Sequence, residues 1–205
     1  MTIVQLLERA GRHPIFTLED CRKWFPQSAR ATIIVQLSHH VAHGHFLRLK
    51  PGLFLLNREP FPDPRVIASR LDSGSIISIE TVLRESNMIP EIPFATTAVT
   101  SGKTSRYTIP GLGTFLFRHI KSSLVFGWTT QSFPPYSVRI ATPEKALLDL
   151  LWFHRFERDL PGYLHELRLT IPPTFSWKRF REYDSAYNIP QFQTVSREAE
   201  KTLRA

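Results

Sequence analysis

The chain has 205 residues, 26 Lys and Arg against 18 Asp and Glu, and a formal charge of +8. With 42% apolar residues it can bury a sizeable core, which excludes global disorder. Its single cysteine, Cys21, excludes an internal disulfide framework and a multi-cysteine zinc site.

The charge is uneven. Residues 1–57 carry seven Lys and Arg against three acids, together with five histidines, whereas residues 58–205 carry nineteen against fifteen. A dense basic segment with few acids suits a polyanion surface. The opening MTIVQLLERAGRH places Glu8 early and lacks a continuous apolar run, so no signal peptide is expected. The apolar runs, such as 150–153, are too short to cross a bilayer. The expectation is a soluble, cytoplasmic protein with no membrane partner.

In chain order, Thr2 caps a short helix over 3–10 and Gly11 ends it. Ile15-Phe16 is extended. Thr17 caps a second helix over 18–25, with Glu19 and Asp20 in the turn where the helix dipole favours acids. Pro26-Gln27-Ser28 breaks the chain, and a third helix follows over 29–42. Two apolar strands, 45–49 and 53–56, flank a Lys50-Pro51-Gly52 turn. Helix, helix, turn, helix, hairpin is the order of a winged helix-turn-helix, assigned to residues 1–57.

At 100° per residue, Ile34, Leu37, Ser38 and Val41 form the inward stripe of the third helix. Thr32, Gln36, His39 and His43 then face outward, with Ile33 and His40 at the margins. A recognition helix enters the major groove with its N-terminal half, so Arg30, Thr32, Ile33 and Gln36 are the expected base readers. Ser28 and the helix-start amides are placed to bind a phosphate. His40 joins this polar face, and Arg48 and Lys50 lie on the wing. DNA is therefore the expected partner, but solvated polar faces and protein-interaction modules share this pattern. His39, His40, His43 and His45 lack a nearby Cys or acid to complete a metal site, so no metal is expected. Cys21 reads as a core residue.

A boundary falls at Asn57–Pro64, where prolines disfavour regular structure. Residues 58–205 read as a larger mixed α/β domain, which makes the whole chain α+β. Its helices are expected at 65–71, 79–86 (capped by Ser78), from 143 onward, 176–185 and 196–203. Its strands are expected at 75–79, 94–100, 104–109, 114–119 and 137–140, with 94–100 and 104–109 forming a hairpin. The clearest helix start is Thr142-Pro143-Glu144: a cap, a proline at the first helical position and an acid at the dipole. Glu144 and Asp149 lie about 140° apart on that helix and read as a cap and a core-edge residue rather than an acid pair. Gly111-Leu112-Gly113 lacks the rest of a phosphate-binding loop, and HExxH and GxSxG do not occur. Neither an enzyme nor a cofactor is expected.

Four segments resemble one family. RLKPGLFLL (48–56), SIETVL (78–83), AVTSGKTSRYTIPGLGTFLFRHI (98–120) and RIATPEKALLDL (139–150) are similar to blocks of the AbiEi antitoxins of type IV toxin–antitoxin systems. The resemblance spans most of the chain in the same order, and the residues after Leu169 carry no matching motif. It implies a transcriptional autorepressor that binds inverted repeats in double-stranded DNA at its own promoter. It also implies neutralisation of a nucleotidyltransferase-like toxin without need of a stable complex. The family places positive faces in both domains, and Arg118, Lys121 and Arg139 are the candidates for a second basic face. The alternatives left open are a protein-interaction module and a stand-alone regulator without a toxin.

Overall fold

The computed structural model describes residues 2–204 and has a mixed α+β fold. The first part runs α1 (Ile3–Arg12), β1 (Ile15–Thr17), α2 (Leu18–Trp24), α3 (Arg30–Ala42), β2 (Phe46–Lys50) and β3 (Leu53–Leu56). It then continues through α4 (Pro64–Leu71), β4 (Ile76–Ile77), α5 (Glu80–Glu85), β5 (Thr96–Thr100), β6 (Ser105–Ile109) and β7 (Gly113–His119). The last elements are β8 (Trp128–Phe133), β9 (Tyr136–Ala141), α6 (Pro143–Phe153), α7 (Leu160–Glu166), α8 (Trp177–Tyr187) and α9 (Pro190–Arg204).

Local chemistry explains the helix starts. Thr2 with Gln5, and Thr17 with Asp20, form capping boxes in which each side chain satisfies the other residue's backbone N–H. Thr142 caps α6 with Pro143 at its first position, as its sequence foretells.

The strands form two sheets. β1-β3-β2 is a three-stranded antiparallel sheet, and β6-β7-β5-β4-β9-β8 is a six-stranded mixed sheet. β5 runs parallel to β7, and β4 runs parallel to β9. The hairpin expected between 94–100 and 104–109 does not form: β7 inserts between β5 and β6, burying Phe115 and Phe117. Two elements without clear sequence signals, β8 and α7, are present, and the final helix starts six residues earlier than expected.

All four residues of β3 are buried. Phe54 and Leu56 pack with Leu6, Ala10, Phe16, Ile33, Leu37 and Phe46 beneath the first three helices. Leu53 and Leu55, with Ile15 and Leu49, belong instead to the core of the larger sheet. Polar bonds reinforce this junction. The Tyr136 hydroxyl accepts from Ile15 N at 2.7 Å and donates to Ile15 O at 3.0 Å, closing the free edge of β1. Lys50 Nζ donates to Leu71 O at 2.6 Å, placing a cation on the carboxyl end of α4.

The core of the larger part contains charge. Lys145 and Asp149, one turn apart on α6, are 1% and 0% exposed and form an ion pair. Tyr187 Oη accepts from Lys145 Nζ at 3.1 Å and donates to Asp149 Oδ1 at 3.0 Å. Ser78 Oγ donates to Asp149 Oδ2 at 2.7 Å. Asp149 is thus a core residue, not a core-edge one, and Ser78 spends its hydroxyl here rather than on capping α5. That cap position falls to Ile79, whose φ of 58° is strained for a β-branched residue. Burial pushes the Lys145 ammonium below its usual range, against the pull of Asp149. Glu144, also buried, accepts from Ser176 N at 2.8 Å and draws α8 onto α6.

Removing one partner of a buried pair strands the other, at a cost of about 3–5 kcal/mol. Asp149→Ala is therefore expected to lower stability by that amount, read from the urea midpoint. A loss below about 1 kcal/mol, the scale of a surface pair, would contradict the burial of this network.

Candidate nucleic-acid interface

The turn between α2 and α3 builds a basic recess in the first part. α2 ends where Phe25 N donates to Cys21 O at 2.9 Å, and Ser28 N then donates to Phe25 O at 3.0 Å. This tight turn brings the last turn of α2 beside the first turn of α3. Arg22, Lys23, Ser28 and Arg30, with Pro26 and Glu19, line an open notch of about 380 Å³. Glu19 pairs with Arg22 at 2.9 Å. Lys23 and Arg30 have no carboxylate within ion-pair distance among the described residues.

Helix α3 begins at Arg30, which lines the notch, behind an extended Ala29 that offers no side-chain cap, so its first amides lack a capping side-chain acceptor. Free helix-start N–H groups beside three cations form a ready seat for a phosphate oxygen. Ser28, expected at this seat, lines it but does not cap the helix.

The helix is rotated relative to the expected stripe. Ile33 is 0% exposed and joins Leu37 in the core, while Ile34 is 43% and Val35 67% exposed. Three consecutive β-branched residues allowed either phase, and it is Ile33 that joins the core cluster with Leu6, Phe46 and Phe54. Ile33 is therefore withdrawn as a base reader. Gln36 and His40 are half-buried on this inward flank, and their Oε1 and Nδ1 atoms are buried without partners. The outward face is Ala31, Thr32, Val35, Ser38, His39 and Ala42, with Arg30 exposed at its start.

The hairpin also differs from a free wing. Arg48 is exposed, and its guanidinium lies 5.9 Å from the Phe54 ring and 3.4 Å from Ser38 Oγ. Lys50 is half-buried and held on Leu71 O, so its ammonium is not free for the wing contact expected of it. Of the eight expected contacts, Arg30, Thr32 and Arg48 are exposed, and Ser28, half-buried, lines the notch. Arg22 and Lys23 join them. The sequence carried their charge, but only the angle between α2 and α3 brings them to Arg30.

The second basic face is dispersed. Arg118 stacks on Phe153 with its guanidinium carbon 3.9 Å from the ring centroid. Arg139 donates to Ser73 O at 2.8 Å and lies 5.4 Å from the Trp128 ring. Arg118 is on β7 and Arg139 on β9, with β5 and β4 between them, or roughly 14 Å of sheet. Lys121 is exposed beyond β7.

The histidines pack on one another. The His39 and His43 rings stack at 4.0 Å, and His40 lies edge-on to His45 at 5.6 Å. Among the described residues no three His, Cys, Asp or Glu side chains converge on a metal position. Cys21 is buried, which pushes its thiol up to about 12, with Asp20 adding to the rise.

No family model matches the chain, and no curated protein matches it.

Burial, then the charges of His39, His45 and His43, hold the His40 imidazole below its usual 6.5. Burial, then Arg118, do the same for His154. Both rings take up protons at lower pH in the folded chain than in the unfolded one. The unfolded state therefore binds more protons just below pH 6.5, and stability falls as pH drops through that window. The urea midpoint is expected to decrease from about pH 7.5 to about pH 5.5. His40→Gln is expected to flatten that decrease, and an unchanged slope would contradict the assignment.

Proposed function

We propose that the chain is a DNA-binding transcriptional autorepressor and antitoxin of the AbiEi type, acting in the cytoplasm. The observation that carries the DNA reading is the notch at the start of α3, where Arg22, Lys23 and Arg30 line a recess beside a helix start that no side chain caps. Two helices joined by a tight turn over a three-stranded sheet support a winged helix-turn-helix reading of residues 1–57. In this reading a phosphate oxygen sits in the notch and fixes the register of α3. Arg30 then reaches a guanine edge, and the methyl groups of Thr32 and Val35 meet thymine methyls in the major groove. Bound at inverted repeats upstream of its own coding sequence, the protein represses by occluding the promoter.

The antitoxin half of the proposal rests on the four resembling segments. Two of them coincide with structural centres: RLKPGLFLL spans the end of β2 and all of β3, and RIATPEKALLDL carries the buried Lys145–Asp149 pair. Residues 58–205 are the proposed antitoxin domain, directed against a nucleotidyltransferase-like toxin. Among the described residues no helix is long and apolar enough to cross a membrane.

One observation favours a second reading. Ile34 and Val35 expose an uncharged apolar patch on α3, which also fits an apolar protein partner. A protein-interaction module predicts no salt-dependent binding to duplex DNA.

Fluorescence anisotropy with the duplex immediately upstream of the coding sequence separates the two. Lys23→Ala is expected to weaken binding equally across sequences and to flatten the log–log salt slope by about one. Arg30→Ala is expected to weaken binding and also relax sequence preference. Lys50→Ala is expected to leave the slope unchanged, because that ammonium serves the end of α4. Equal affinity and slope in the Lys23 and Arg30 variants would overturn the placement.

The antitoxin role is tested by co-expression with a nucleotidyltransferase-like protein encoded beside it. Growth is expected to recover with the full chain and with Arg30→Ala alike. Failure of both to restore growth would leave a regulator without a toxin.

A further inference from the structure

The six-stranded sheet has two open edges that differ in chemistry. Edge strand β6 (Ser105–Ile109) carries a charge at Arg106, one of the devices that discourage strand addition. Edge strand β8 (Trp128–Phe133) is Trp-Thr-Thr-Gln-Ser-Phe: six residues with no charge and no proline, five of them exposed. Its pairing with β9 is regular from Trp128↔Ala141 to Phe133↔Tyr136, with no bulge to bend the edge away.

Backbone alternation fixes which groups are free. Thr142 N donates to Gly127 O at 2.9 Å, at the base of the β8–β9 ladder. In an antiparallel pair, every second residue turns both backbone groups to its partner. Residues 127, 129, 131 and 133 therefore face β9, while Trp128, Thr130 and Ser132 turn N–H and C=O to the open side. These are unpaired ladder groups on a strand rich in β-favouring residues.

We propose that β8 pairs with β8 of a second copy of this chain, antiparallel about a two-fold axis at Thr130, joining the two sheets edge to edge. The two-fold requires paired residues of like parity, since partners across a ladder share a sheet face. Centring on Thr130 satisfies this and aligns the free groups. Thr130 meets its own symmetry mate, Trp128 meets Ser132, and Thr129 meets Gln131. The register makes about six backbone hydrogen bonds. Each cross-strand pair is uncharged, so the contact avoids the like-charge repulsion that a +8 chain brings to most of its surface. The neighbouring cation, Arg139, is turned onto Trp128 and Ser73 O. A foreign strand needs only a free edge. A second copy also supplies this matched, charge-free register, which is why the self-pair is favoured. The inference is independent of DNA binding.

Sedimentation velocity of the full chain at about 5 and about 100 μM, in about 0.15 M salt, reads the equilibrium, salt at that level screening charges beyond about 8 Å. The average mass is expected to rise from the 23.7 kDa monomer toward twice that value. Thr130→Lys puts two ammonium groups face to face on the axis and is expected to weaken association at least tenfold, with an unchanged circular dichroism spectrum. Thr130→Cys tests the register, because paired Cα atoms about 5.5 Å apart lie within disulfide reach. Oxidation is expected to cross-link that variant into dimers but not Ser132→Cys, while Cys21 is buried and takes no part. A chain that stays monomeric at the higher concentration overturns the proposal and leaves the edge for a foreign strand. Association that survives Thr130→Lys overturns the location, and association without cross-linking of Thr130→Cys overturns the register.

Discussion

Strand β3 serves two cores, and this double duty fixes the arrangement of everything around it. Phe54 and Leu56 lie beneath the three N-terminal helices, while Leu53 and Leu55 insert into the core of the larger sheet. A strand buried on both faces reads as a continuous apolar run instead of an alternating one. LFLL is such a run. The Tyr136 hydroxyl, bonded to both backbone groups of Ile15, and Lys50, bonded to the end of α4, hold the same junction with polar contacts. The three-stranded sheet is thereby set against the larger part, and α3 is presented from a fixed platform.

That constraint redistributes the charge suggested by composition. Four cations are committed within the molecule: Lys50 to a helix end, Lys145 to Asp149, Arg118 to Phe153 and Arg139 to Ser73 O. Lys23 and Arg30 at the α2–α3 turn and Arg48 on the hairpin stay exposed, as do Arg106 and Lys121 on the larger part. The DNA proposal therefore leans on a phosphate seat at a helix start and on the outward face of α3, with a smaller part for the hairpin than a freely projecting wing would have.

The elements with strong local signals were legible in the sequence. Thr17 with its two acids, Thr142-Pro143-Glu144 and the Pro-Gly turn before LFLL each specify structure through contacts within a few residues. Features set by distant packing were not. The phase of α3 depended on which of Ile33, Ile34 and Val35 found the aromatic pocket, and local periodicity allowed more than one answer. The β5–β6 hairpin lost to a parallel β5–β7 pairing that no turn signal announces. Ser78 has the chemistry of a cap, but the unmet lone pairs of a buried carboxylate 71 residues away claimed its hydroxyl. The same limit applies to the candidate site: Arg30 was legible from its place in the helix, whereas Arg22 and Lys23 became part of it only through the interhelical turn.

Hydrogen–deuterium exchange on the full chain, with and without its upstream duplex and with a scrambled duplex of equal length as control, tests the central claim most directly. The account predicts specific protection from the last turn of α2 through the first half of α3, at residues 22–35, and weaker protection at Arg48. No such protection at residues 22–35, with slowed exchange confined to other surfaces, would contradict a reading helix seated by the notch.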